Sequence, residues 1–146
     1  MSLQEHVSYA VRDGIARAIA VVGLAGVALI HLLDAPGTFQ AAAYKGWLYV
    51  ALIVGSMLAA AALVRRDDPR AWAAAAALST GAIVAFVISR TIGLPQGADD
   101  IGNWTDPLGM ASLFVEGSLV GLSAIALRGR VAVPAARREL ASAVRA

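Results

Sequence analysis

Four apolar stretches, each close to the length of a bilayer-crossing helix, dominate this sequence and leave few folds open to it. A hydrocarbon core about 30 Å thick needs about 20 apolar residues at a helical rise of 1.5 Å. Residues 14–34, 44–64, 71–92 and 108–128 meet that length. Between them lie 34–43, the short RRDDPR at 65–70, and the longer GLPQGADDIGNWTDP at 93–107. Composition agrees: of 146 residues 59% are hydrophobic and 15% charged, with a mean hydropathy of +0.70. A soluble domain this small buries too little of its surface to hide so much apolar area. The sequence predicts an all-α integral membrane protein, a single transmembrane domain over 1–146 built as an up-down four-helix bundle in contact with the lipid bilayer.

The basic residues give the expected orientation. Arg12, Arg17, Arg65, Arg66, Arg70, Arg128, Arg130, Arg137, Arg138 and Arg145 fall on the side of the termini and the 65–70 connector, ten of the twelve Lys and Arg. Lys45 and Arg90 fall on the other. By the positive-inside rule both termini are cytoplasmic, in a bacterial inner membrane. A net charge of +2 and a pI near 9.5 suggest nucleic acid in a soluble protein. Here the arginines flank apolar spans, and no nucleic-acid partner is expected. The same rule of interfaces places Trp72 at the inner boundary and Trp47 at the outer one.

Two features at the ends refine this picture. The leader carries Glu5 and Asp13, and Leu33-Asp34-Ala35 makes a poor cleavage site, so the first span reads as a retained anchor. Ser2 and Glu5 form a capping box, and Leu3, Val7, Ala10 and Val11 recur at helical spacing, as in an interfacial lead-in. Residues 134–146 set Arg137, Arg138 and Arg145 against Leu140 and Val144. That tail is expected either as a short amphipathic helix or without order.

Helices in lipid associate chiefly through small residues. Gly55-x-x-x-Ala59, Gly81-x-x-x-Ala85 and Gly117-x-x-x-Gly121 offer such faces in the last three spans, and the alanine run 73–77 smooths the third. They suit close packing within the bundle, a homodimer, or a larger membrane complex.

Chemistry is harder to read. There is no cysteine, which excludes disulfides and thiolate sites. No nucleotide-binding or hydrolase motif occurs, and no nucleophile–base set is evident, so the reading leans away from an enzyme without closing the question. The feature that stands out is Glu116, about nine residues and roughly 13 Å into the fourth span. An ionisable residue there costs about 2.5–3.5 kcal/mol on insertion. Ser112 and Ser123 share its helix face, so a polar stripe should point into the bundle.

Other spans supply possible partners at that depth. His31 and Asp34 sit on one face of the first span, Lys45, Tyr49 and Ser56 on one face of the second, and Arg90 near the end of the third. Arg90 with Glu116 is the natural ion pair. The plainer alternative is that Arg90 snorkels while His31, Asp34 and Lys45 are interface residues. Asp99, Asp100 and Asp106 crowd the third connector with Asn103 and Trp104. Such acids suit Mg²⁺, Ca²⁺ or Mn²⁺, and Zn²⁺ or Cu²⁺ if His31 joins, yet no spacing matches a defined metal motif and a solvated acidic loop is the more frequent explanation. Haem is disfavoured, because His6 lies on the wrong side and Met57 too deep to pair with His31. No cofactor is assigned.

A His ending the first span, Tyr44-Lys45-Gly46 opening the second, Ser89-Arg90-Thr91-Ile92-Gly93-Leu94-Pro95 closing the third and Glu116 in the fourth resemble a group of small four-span integral membrane proteins of actinobacterial type. The resemblance covers about residues 18–127. It implies a fold and a membrane location but no reaction.

Two functions follow as expectations. In the first, Glu116, Arg90, His31 and Asp34 form an outer-half site for a small solute or cation, lidded by the 99–106 loop. In the second, the chain is a non-catalytic accessory or scaffold subunit of a larger membrane complex, and Arg90–Glu116 is a structural ion pair.

Overall fold

The computed structural model describes residues 3–143, with side chains described for 3–5 and 7–129. Ser2 of the expected capping box and the side-chain pattern expected of 134–146 lie outside that range. Four helices carry the fold: α1 (Leu3–Ala41), α2 (Ala43–Arg65), α3 (Pro69–Thr91) and α4 (Pro107–Ala143), with a short 3-10 turn at Ala98–Asp100. All four are long and apolar enough to cross a membrane, and they pack in a ring in which each helix touches the next and α4 returns to α1.

Local chemistry explains the element ends. Asp68 caps α3 by accepting the Arg70 amide at 2.9 Å, with Pro69 in the first turn where its missing N–H costs nothing. Gly93 stops α3: at φ 81° its amide reaches back to the Ile88 carbonyl, a left-handed ending that favours glycine. Asp106 caps α4, its Oδ2 accepting the Gly109 amide at 3.0 Å, and Pro107 follows it.

The first connector departs from expectation. The apolar run stops near Leu33, but α1 continues through Pro36 to Ala41 and leaves only Ala42 between the helices. Tertiary contacts hold these extra turns. Asp34 accepts Thr38 Oγ1 at 3.3 Å, and the Phe39 ring lies on Gly46 of α2, where a Cβ would come within 2.4 Å of it. At the far end of the same pair Arg17 clasps α2, donating to the Leu63 carbonyl at 2.6 Å and 3.1 Å and to that of Val64 at 3.2 Å. Those carbonyls belong to the last turn of a helix, where intrahelical donors run out.

The apolar core lies toward that arginine-rich end. Ala20, Leu24 and Val27 meet Ala59, Ala60, Leu63, Ala71, Ala75 and Leu119 around a fully buried Trp72. Trp72 is thus inside the bundle, its indole donating to Asp67 at 3.0 Å, and not on a lipid interface as the sequence suggested. Trp47 is exposed as expected.

Among the described residues, only one of the expected small-residue motifs makes a close approach. Gly55 faces Leu78 across the α2–α3 contact, and Ala59 is buried. A Cβ on Gly81, Gly117 or Gly121 would meet nothing within 4 Å. The reason on α4 is angular: the Ser112–Glu116–Leu119–Ser123 stripe takes the interior, which turns Gly117 and Gly121 outward. The close approach of α1 to α4 uses Gly23 against Leu119 and Gly26 against Val115 instead.

Candidate functional site

The end of the bundle opposite the arginines, here the loop end, gathers the polar side chains. Glu116 is 1% exposed on α4. Its Oε1 accepts Ser112 Oγ at 2.8 Å and stands 3.9 Å from Nε2 of His31 on α1. The His31 Nδ1 lies 2.9 Å from the Val27 carbonyl. A carbonyl only accepts, so Nδ1 carries a proton, and Nε2 is the ring nitrogen turned toward Glu116. Tyr49 of α2 packs edge-on against that ring at 4.7 Å and donates its hydroxyl to Asp34 at 3.0 Å. Three helices thereby converge on one cluster of two carboxylates, an imidazole and a phenol.

Arg90 does not join Glu116, contrary to the pairing read from the sequence. Its guanidinium binds Asp100 Oδ1 at 2.8 Å and Asp106 Oδ2 at 3.5 Å, and lies 4.8 Å above the Phe86 ring. The third connector causes this by folding back over the end of α3. Gly93 turns the chain, Pro95 and Gln96 make a tight turn with Gln96 at φ 59°, and the Gly102 amide reaches the Arg90 carbonyl at 2.9 Å. Asp100 then lands between three donors, taking Lys45 Nζ at 3.1 Å and Ser89 Oγ at 3.2 Å besides Arg90. Partial burial raises the pKa of the Asp100 carboxyl, but the hydrogen bonds and charges of Lys45 and Arg90 outweigh it and hold the group below its ordinary 3.8. Tyr44 completes the fastening by donating to the Pro95 carbonyl at 2.7 Å.

Two of the three acids of this connector therefore serve the fold, Asp100 as a hub and Asp106 as a helix cap, while Asp99 is exposed. Among the described residues no three of His, Cys, Asp and Glu gather around a point where one ion would sit. His31 and Asp34 stay with Glu116 in one neighbourhood, while Arg90 and Lys45 belong to the loop.

A cavity of about 1220 Å³ runs from this cluster down between α2 and α3. At the loop end it is lined by His31, Asp34, Lys45, Tyr49, Arg90, Asp100, Asp106 and Glu116. Farther along it passes Leu52, Gly55 and Leu58 on one side and Leu78, Gly81 and Ala85 on the other. Several buried side-chain atoms have no hydrogen-bond partner among the described residues: Glu116 Oε2, Arg90 Nε and the hydroxyls of Ser56, Ser79 and Ser123. Comparison with protein-family models, with curated proteins and with solved structures finds no match for this chain.

Sequence reasoning did not find the Asp100 hub, the Asp106 cap or the Arg17 clasp. Only the cap had a local signal, an aspartate directly before Pro107 and an apolar run.

Proposed function

We propose that this four-span membrane protein holds a small polar solute or a cation in its loop-end half, with Glu116 at the centre and His31 and Asp34 beside it. The observation that carries the reading is Glu116 Oε2, a buried carboxylate oxygen without a partner on a residue lining the cavity. Leaving such an oxygen unpaired is costly in an apolar surround, and a bound donor or cation removes that cost. Arg90 takes a supporting part, ordering the connector above the site instead of contacting the ligand. The same proposal takes the loop end as the outer face of a bacterial inner membrane and the chain as one of the small actinobacterial four-span group. The arginine asymmetry and the SRTIGLP string support those two points.

Elemental analysis and native mass spectrometry test it on protein purified in mild detergent without chelator, beside Glu116→Gln and His31→Ala. The expected result is a bound species at one per chain in the wild type that Glu116→Gln loses. A species retained by Glu116→Gln, or none in any sample, overturns the reading.

An accessory or scaffold role is the second reading. The open face of Gly117 and Gly121 on α4, where an added Cβ would meet no described residue within 4 Å, favours it. Pull-down from native membranes with a stoichiometric large partner, abolished by Gly117→Leu, supports that role.

A further inference from the structure

The reading of Glu116 as a binding centre leaves most of the cavity unexplained. A volume of about 1220 Å³ exceeds the range of roughly 300–1,000 Å³ that small-molecule sites occupy, and a bare ion fills almost none of it. Its long section between α2 and α3 is apolar. Gly81, Ala85 and Leu58 line that section and are also exposed on the outside of the chain, so the groove opens sideways to whatever surrounds the helices. For four helices that cross a membrane, that surround is acyl chain.

Charge at the loop end defines the head of the occupant. Lys45 and Arg90 are the cations lining the cavity there, and four carboxylates face them: Asp34, Asp100, Asp106 and Glu116. Both cations are engaged by the connector, Lys45 by Asp100 and Arg90 by Asp100 and Asp106. The excess is therefore negative; within it Glu116 Oε2 and Arg90 Nε are the buried atoms without a hydrogen-bond partner among the described residues, and the terminal nitrogens of Arg90 stay committed to Asp100 and Asp106. A helix from a second copy of this chain would suit the small-residue walls, but neither of these cations is free to reach Glu116 from it. An anionic occupant would add to the excess of negative charge, and a purely apolar one would leave Glu116 Oε2 unpartnered.

We propose that the α2–α3 groove takes the apolar tail of a single-chain cationic amphiphile whose ammonium head sits against Glu116. The proposal rests on the reading of Glu116 given above and names the ligand class for that site. One slot between two helices accommodates one tail, and entry from the bilayer spares the tail any exposure to water. The ammonium supplies the donor that Oε2 lacks, with Asp34 adding negative charge to the same end.

Isothermal titration of dodecylammonium and of ethylammonium tests this on the full chain in phosphatidylcholine nanodiscs, with empty nanodiscs subtracted. Three proteins are compared: wild type, Glu116→Gln and Gly81→Leu. A Cβ at Gly81 meets nothing within 4 Å, so leucine there fills the groove without displacing backbone. The wild type is expected to bind dodecylammonium at least ten-fold more tightly than ethylammonium. Gly81→Leu should remove that advantage and keep ethylammonium binding, while Glu116→Gln should lose both. Equal affinities in the wild type, or a long-chain advantage that survives Gly81→Leu, overturn the groove while leaving a small-cation site at Glu116. Binding of both probes unchanged in Glu116→Gln overturns the centre itself. Loss of probe binding in phosphatidylethanolamine nanodiscs replaces the single-chain occupant with the bilayer's own aminolipid. A dimer that excludes dodecylammonium also refutes the proposal.

Discussion

Arg90 and Asp106 meet at 3.5 Å, the first in the last turn of α3 and the second at the residue that caps α4. The same Asp106 oxygen accepts the Gly109 amide, so the guanidinium and a helix N-terminus share one carboxylate. Both are positive toward it, so one negative group serves two partners. The end of one span and the start of the next are thus held by a single side chain across a fifteen-residue connector.

Arg90→Lys tests that geometry. A point charge on a flexible stem cannot fork between Asp100 and Asp106 or stack on Phe86 as the planar guanidinium does. Arg90→Lys should therefore recover less than half of the stability that Arg90→Ala loses, itself about 1–3 kcal/mol. Unfolding by sodium dodecyl sulfate from a mild detergent reads both.

Asp100 makes the connector acid-sensitive in a defined window. Because its folded-state pKa lies below the ordinary 3.8, its ionised form stabilises the native loop at all higher pH. That contribution disappears as pH falls below 3.8 and through the lower folded value. Hydrogen exchange at the Gly102 amide, corrected for its intrinsic rate, should be slow and constant from pH 7 to about pH 4 and accelerate below. Asp100→Asn should exchange fast across the whole range.

Two glycines separate packing from propensity. Gly46→Ala drives a Cβ into the Phe39 ring and should cost about 1–3 kcal/mol, part of which Phe39→Leu returns in the same chain. Gly81→Ala meets open space and should be neutral or stabilising by up to about 1 kcal/mol. Thermal melts of the three variants in one detergent decide it.

Arg17→Met retains the apolar stem and removes the donors. The Leu63 and Val64 carbonyls then lose their partner, and the α1–α2 pair should weaken by about 1–3 kcal/mol. Cleavage in the 65–70 connector during limited proteolysis should rise with it, while cleavage in 93–107 stays unchanged.

Much of this was legible in the sequence because length and apolar runs decide it. The four spans follow from that alone, and the interior stripe of Ser112, Glu116 and Ser123 follows from helical spacing. His31 next to Glu116 was within reach, since both sit at the same depth on helices that had to be neighbours in a small bundle. Arg90 was not. Its partners depend on how a connector with a left-handed Gly93 and a Pro95–Gln96 turn brings Asp100 back over the helix end, and no periodic signal encodes that path. The continuation of α1 past Pro36 is also tertiary in origin, held by the Phe39–Gly46 contact rather than by propensity.

Arg17 is one of the ten arginines that lie near the termini and in the 65–70 connector, and it is also spent on two main-chain oxygens of the neighbouring helix. The Nε and Nη2 donors of Arg17 are committed to those oxygens and are not offered to lipid phosphates. The first two helices are thus latched to each other at that end of the pair, so inverting the hairpin in a bilayer would carry the latch to the opposite leaflet.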